Sequence, residues 1–189
     1  QVSLQVGIIS VTIALVLGLS LGLLSGFFGG KVDSILMRFV DLMFAIPGLV
    51  LAIVIAGLLG PSRRNAMIAI GIVIAPAFAR VVRGSVLEVM GFPFVESARA
   101  LGASHRRVMA RHVLPNIAAP VIVLVTVYLS TAILSEAALS FLGLGTQPPE
   151  AAWGNMLASA RNFIEASVWM SIFPGLAIIL TVLAVNFVG

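Results

Sequence analysis

An all-α, polytopic transmembrane bundle is the fold class this sequence predicts, on three observations. The composition is 60% hydrophobic and only 10% charged, with mean hydropathy +1.17, against about 25% charged residues in soluble domains. The apolar residues fall into about five runs long enough to cross roughly 30 Å of hydrocarbon as helices. The basic residues collect between or at the ends of those runs, as the positive-inside rule expects.

These features also set limits. A net charge of +4 and a pI near 11.1 are compatible with nucleic acid in principle. However, the basic residues sit in short segments beside apolar spans, and no basic stripe alternates with aromatics, so no nucleic-acid partner is expected. The chain has no cysteine, which excludes disulfides, thiolate metal sites and cysteine nucleophiles. Its start lacks a basic leader and a small-residue cleavage site, so it is not read as a signal peptide. It reads as a segment of a longer protein.

The first span is expected over about 6–28. Gly18, Gly22 and Gly26 recur every four residues within it and lie on one helix face, the arrangement that lets a second helix approach closely. The GFFGGKV end fails as a phosphate loop, because Ser25 and Val32 stand where Gly and Ser or Thr are needed. A polar turn with Lys31, Asp33, Arg38 and Asp41 follows, with Arg38 and Asp41 spaced to pair. The second span is expected over about 40–59, kinked at Pro47. After a turn at 60–65, the third runs over about 66–83 through Pro76. Arg80 and Arg83 close it, with their charged ends at the head groups.

The segment from Arg80 to Pro115 must leave the membrane. It carries Arg80, Arg83, Arg99, Arg106, Arg107 and Arg111, six of eleven Lys and Arg. One Arg at the bilayer centre costs roughly 2.5–3.5 kcal/mol, so burying six would cost on the order of 15–20 kcal/mol. Pro93 suits a first helical position. Phe94, Ala98 and Leu101 then form an apolar stripe on a short helix, with Glu96 and Arg99 off it. Gly102 reads as a helix end and Ser104 as the next N-cap. The second short helix carries Arg106, Arg107, Arg111 and His112, and Leu114-Pro115 ends it.

A fourth span is expected over about 117–134, with Glu136 following it at an outer membrane edge. Two readings of Glu136 stand: a group on the transport pathway, or a hydrated or capping carboxylate. A Gly- and Pro-rich loop over about 136–166 then folds along the surface, anchored by Trp153. The last span covers about 168–188, with Pro174 near its start. With the basic segment inside, eight Lys and Arg lie on the cytoplasmic side and Arg63, Arg64 and Arg161 lie outside, which supports that orientation. His105 and His112 lack a carboxylate to complete a metal set, and no Ser, His and Asp arrangement suggests a hydrolase.

Glu96-Ser97-Ala98-Arg99-Ala100-Leu101-Gly102, followed by Leu114-Pro115, resembles the cytoplasmic "EAA" loop of ABC importer permeases. That pattern is Glu-Ala-Ala, three residues, Gly, nine residues, Ile, one residue, Leu-Pro. Ser97 replaces the first Ala and His112 stands at the Ile. The runs ESARALGAS, RHVLPN, SEAALSFLGLG, WGNML and FPGLAI look like those of dipeptide and oligopeptide importer permeases, the second (C-type) of their two membrane subunits.

The resemblance implies a single permease domain over the chain, of the type I, MetI-like kind, with a coupling loop over about 84–115. It implies that one N-terminal span and a charged C-terminal tail are missing. It implies import of di- or oligopeptides, with nickel or glutathione as alternative cargo, through the bacterial inner membrane. It implies a homologous second permease subunit, two ATP-binding subunits and an extracytoplasmic peptide-binding protein as partners. The chain itself is then no enzyme: catalytic, cofactor and metal sites are expected to be absent from it, with ATP and Mg on the ATPase partners. Pro93, Phe94, Glu96, Ser97, Ala98, Arg99, Leu101, Gly102, Leu114 and Pro115 become the ATPase-coupling residues. A channel or scaffold without an ATPase is the reading from a different class.

Overall fold

The computed structural model describes residues 2–188. Among these, nine α-helices follow one another: α1 (Val2–Phe28), α2 (Gly30–Phe44), α3 (Gly48–Leu59), α4 (Arg63–Met90), α5 (Pro93–Ala100), α6 (His105–Val108), α7 (Ala118–Phe141), α8 (Trp153–Ala160) and α9 (Trp169–Val188). A π-helical turn, Met109–Val113, extends α6, and a 3-10 turn, Arg161–Phe163, follows α8. α1, α4, α7 and α9 are each long and apolar enough to cross a membrane; α2 and α3 reach that only as one bent pair. The span number is therefore four, or five with the bent pair.

Several boundaries differ from the sequence reading. The polar turn over Lys31–Asp41 is the body of α2, because its apolar residues Ile35, Phe39 and Leu42 recur at helical spacing. At Pro47 the stretch over 40–59 breaks into two helices, more than a kink, which make one span only as a bent pair. Pro47 caps α3 in an extended conformation (φ −53°, ψ 129°), and its carbonyl accepts from the Leu51 N–H at 3.0 Å. Pro has no N–H to continue the preceding helix, and it disfavours helical geometry at Ile46. α4 continues past Arg83 to Met90, since no breaker intervenes before Gly91. α7 likewise continues past 134 to Phe141, which places Glu136 inside a helix rather than after one. The 136–166 segment contains α8, with Trp153 as its first residue.

Contacts divide the chain into two compact units, with the boundaries falling inside α1, α4 and α7 and between α2 and α3. In the unit formed by 2–14, 46–74 and 125–188, small residues let helices approach. A Cβ at Gly7 would stand 3.0 Å from Ile133, and one at Gly71 would stand 2.7 Å from Ile13. Val6, Val11, Ala66, Ile70, Ile133 and Leu139 are buried there.

In the unit formed by 15–45 and 75–124, α1 lies directly on α4. A Cβ at Gly22 would come within 2.6 Å of both the Ala79 carbonyl and Val82 Cβ. One at Gly18 would meet the Ala75 carbonyl at 2.6 Å, and one at Gly26 would meet Val86 at 2.8 Å. No side chain fits at any of the three, so the glycine ladder sets the helix separation. Below it, Leu23 and Phe27 of α1 join Val82, Val86 and Val89 of α4 in a core completed by Val95, Val108, Val113, Ile117 and Val121.

Candidate functional site

The segment between α4 and α7 is built from local rules. Gly91 and Phe92 turn the chain, their N–H groups donating to the Glu88 and Val89 carbonyls at 3.1 Å each. Pro93 is the first residue of α5, where a missing N–H is harmless. The Ser97 hydroxyl donates back to the Pro93 carbonyl at 2.9 Å. Two paired bonds close α5: the Ala103 N–H donates to Ala98 at 3.0 Å and the Gly102 N–H to Arg99 at 2.9 Å. That is a Schellman ending, and Gly102 takes the left-handed conformation it demands, with φ +79°. Ser104 caps α6, its hydroxyl accepting from the Arg107 N–H at 3.4 Å.

The π-helical turn follows, closed by the Leu114 N–H on the Met109 carbonyl at 2.9 Å. It lies immediately before Pro115. The wider turn accommodates a ring that would otherwise strike the Arg111 carbonyl. The Asn116 side chain donates to the His112 carbonyl at 2.7 Å and steadies the exit.

α5 turns the Phe94, Ala98 and Leu101 stripe away from its own core. Val95 is the buried residue of the helix, not Phe94 or Leu101. Phe94 is 41% exposed, Leu101 is 89% exposed, and Ala98 is half-buried. Pro93, Glu96, Ser97, Arg99, Gly102 and Pro115 are exposed, and Leu114 is half-buried against the core. The loop therefore spends Val95, Val108 and Val113 on its own unit and leaves its largest apolar groups outward. Arg99 lies 5.6 Å over the Phe27 ring, while His105 meets Phe27 edge-on at 5.6 Å and His112 lies 6.1 Å from Phe94. Arg106, Arg107 and Arg111 are exposed. The arrangement offers an apolar knob and positive charge on a rigid base, with no reactive group aligned.

Glu136 is fully buried, with 0% exposure. Its Oε1 accepts from the Ser140 hydroxyl at 2.7 Å and the Thr146 hydroxyl at 3.3 Å. Ser140 also accepts from the Thr146 N–H at 3.0 Å, and Asn155 of α8 donates to the Thr146 carbonyl at 2.6 Å. Glycines make room: a Cβ at Gly145 would enter Ser140, and one at Gly154 would enter the Ala137 carbonyl. Glu136 Oε2 has no protein partner. The carboxyl thus pins the α7–α8 connection and is not presented to solvent. Of the readings offered by the sequence, burial removes the hydrated carboxylate, and the bonds to Ser140 and Thr146 give Glu136 a structural, pinning role.

The charge pairs differ from the sequence reading too. Arg38 does not hold Asp41; Arg80 does, at 2.7 Å. Arg83 grips Asp33 through Nε at 2.5 Å and Nη2 at 2.6 Å, and the Ser25 hydroxyl donates to the same carboxylate. Both arginines are thus paired within the chain. Sequence carried one signal for this: two carboxylates and two guanidinium groups at the edges of apolar runs tend to pair. The pairing across 39 and 50 residues was not readable. In the other unit, Arg63 pairs with Glu150 at 3.1 Å. A groove of about 420 Å³ lies beside it, lined by Pro149, Met156, Trp169 and Phe173 among others. Among the described residues no cluster of His, Asp and Glu suits a metal.

Comparison with known proteins gives concordant matches. The family model for binding-protein-dependent transport system inner membrane components matches residues 18–189. The dipeptide transport system permease protein DppC of Alkalihalophilus pseudofirmus is 46% identical over all of this chain and 62% of its own length. The di/tripeptide permease DppC of Pseudomonas aeruginosa is 47% identical over the same shares. The glutathione transport system permease GsiD of Pectobacterium atrosepticum is 42% identical, with 63% of its length covered. The chain thus spans less than two thirds of these relatives. Among solved structures, an inward-facing MetNI methionine ABC transporter matches with TM-score 0.83 at 19% identity, covering 99% of this chain and 89% of that one. An amino acid ABC transporter matches with TM-score 0.73 at 16% identity, covering 98% and 86%. At those identities the likeness shows the fold, an all-α membrane bundle of the importer-permease kind.

Proposed function

We infer function from one premise: the chain belongs to the family of binding-protein-dependent transport system inner membrane components. It is a multi-pass membrane protein, and its role is that of a permease subunit forming half of a translocation pathway for di- and oligopeptides. The motive power comes from two ATP-binding subunits, with ATP and Mg bound there. A homologous permease supplies the other half, and an extracytoplasmic binding protein delivers cargo. The membrane is the bacterial inner membrane, and the α5–α6 segment faces the cytoplasm.

The observation that supports this reading best is the split personality of α5. Val95 fixes it to the core shared with α1 and α4, while Leu101 and Phe94 stand outward. Both lie on a segment whose arginines keep it out of the bilayer, so lipid is not what covers them. A groove on an ATPase would bury them, with Arg106, Arg107 and Arg111 at the polar rim. Pro93, Glu96, Ser97, Ala98, Arg99, Gly102, Leu114 and Pro115 build and orient that knob. Gly18, Gly22 and Gly26 transmit its position by rigid contact with α4.

The test has two arms. Ala98→Glu and Gly102→Asp should abolish uptake and loosen the ATPase while the permease is still inserted; normal ATPase co-purification from both would remove the docking role. Uptake competition between labelled dipeptides, longer peptides and glutathione, in cells lacking this subunit and complemented with it, assigns the cargo. Glutathione is the second reading because a glutathione permease is 42% identical over the whole chain. Uptake that persists when the ATPase partners are inactivated would instead indicate a channel.

A further inference from the structure

α2 is held differently from the helices around it. It has 15 residues, yet Val40 is its only buried side chain. Ile35, Phe39 and Leu42 are 69%, 55% and 64% exposed. Its entry joint is Gly29-Gly30, with φ +62° and +54°, and no atom lies within 4 Å of where either Cβ would be. Neither apolar packing nor a crowded joint therefore fixes α2 in place.

What fixes it is charge. Asp33, in its first turn, takes both the Nε and Nη2 donors of Arg83 together with the Ser25 hydroxyl. Asp41, in its last turns, takes Arg80, whose guanidinium also lies 4.3 Å over the Phe44 ring. The two carboxylates are eight residues apart, about 12 Å along α2, and the two arginines three apart, about 4.5 Å along α4. Two points far apart on α2 thus converge on one short stretch of α4. Val82 within that stretch, and Val86 and Val89 further along α4, belong to the core that grips Val95, Val108 and Val113 of the docking segment. One face of α4 is joined to the docking segment by apolar contact, and another to α2 by ion pairs.

We propose that Asp33–Arg83, assisted by Asp41–Arg80, is a coupling latch that makes α2 travel with α4 when the docking segment is displaced. The proposal rests on the ATPase-coupled reading above. Arg83 and Asp33 are then positioning residues: they touch no solute and act on the yield of each stroke. Apolar contact would allow α2 to slide along α4, whereas a bidentate guanidinium–carboxylate pair fixes distance and angle together.

The experiment uses the complete transporter, with its ATPase subunits and binding protein, in proteoliposomes. It reads solute imported per ATP hydrolysed, normalised to assembled complex. Asp33→Asn and Arg83→Gln should lower that ratio about threefold or more, with ATP hydrolysis retained. A merely structural role would reduce the amount of complex and leave the ratio alone. Should either variant fail to assemble, Arg80→Gln and Asp41→Asn, at the more exposed pair, should lower the ratio in the same direction. The exchanged pair Asp41→Arg with Arg80→Asp should recover part of it. A wild-type ratio in all assembled single variants would overturn the latch. Uptake by the wild-type complex that ignores ATP would instead overturn the function on which the latch rests.

Discussion

Thr146 and Glu136, ten residues apart, meet on one carboxylate oxygen: the Thr146 hydroxyl reaches Oε1 at 3.3 Å while Ser140 reaches it at 2.7 Å. The contact joins the end of α7 to the chain leading into α8. Glu136→Ala removes the shared acceptor and leaves two buried donors unpaired, at a cost of about 1–3 kcal/mol. Thermal unfolding of the detergent-solubilised complex should show the loss. Glu136→Gln keeps one acceptor oxygen and should retain most transport. Loss of uptake in the Gln variant at normal stability would mean that the charge itself meets the solute.

Gly22 faces the Ala79 carbonyl across a gap that admits no methyl group. Gly22→Val should destabilise by about 1–3 kcal/mol or push the helices apart. Gly84, on the same α4 helix, has nothing within 4 Å. Gly84→Ala should therefore be neutral or stabilising by about 1 kcal/mol. Equal unfolding midpoints for the two variants would refute close packing as the reason for the ladder.

Val95 and Leu101 separate folding from docking. Val95→Ala takes volume from a fully buried site and should cost about 1–3 kcal/mol. Leu101→Ala touches almost nothing in this chain and should leave stability within about 0.5 kcal/mol. Its effect should appear in ATPase co-purification instead. The reverse pattern would mean that α5 is inserted with the opposite face outward.

Gly102 occupies a left-handed position with open space around it. Gly102→Ala should cost about 1–2 kcal/mol through backbone conformation alone, and Gly102→Asn less, because Asn tolerates that region. Hydrogen exchange of the 93–104 amides checks the order. Equal protection in wild type and both variants would show that the Schellman ending does not hold α5.

Much of the fold could be read from periodicity and punctuation. Apolar runs locate α1, α4, α7 and α9, and Pro93, Gly102 and Ser104 mark the ends of α5 and α6 because each acts on its own backbone. Facing was harder. Phe94, Ala98 and Leu101 satisfy a helical stripe, yet the residue that anchors α5 to its own core is Val95, beside that stripe, since an eight-residue helix allows more than one apolar face. The extents of α2 and α7 were missed because Asp33, Asp41 and Glu136 look like helix-ending polar residues. Asp33 and Asp41 are satisfied by distant partners, Arg83 and Arg80, that no local rule names, and Glu136 by Ser140 one turn on together with Thr146. The distant pairs depend on tertiary approach, and spacing along the chain carries no record of it.

On the docking proposed above, Leu101, 89% exposed in this chain, is covered only in the assembled transporter. Until an ATPase covers it, the knob is a ready handle for chaperones and for membrane proteases that scan for exposed apolar side chains. Surplus permease would then be cleared and matched pairs kept, so the leucine proposed to receive force would also help set the cell's stoichiometry.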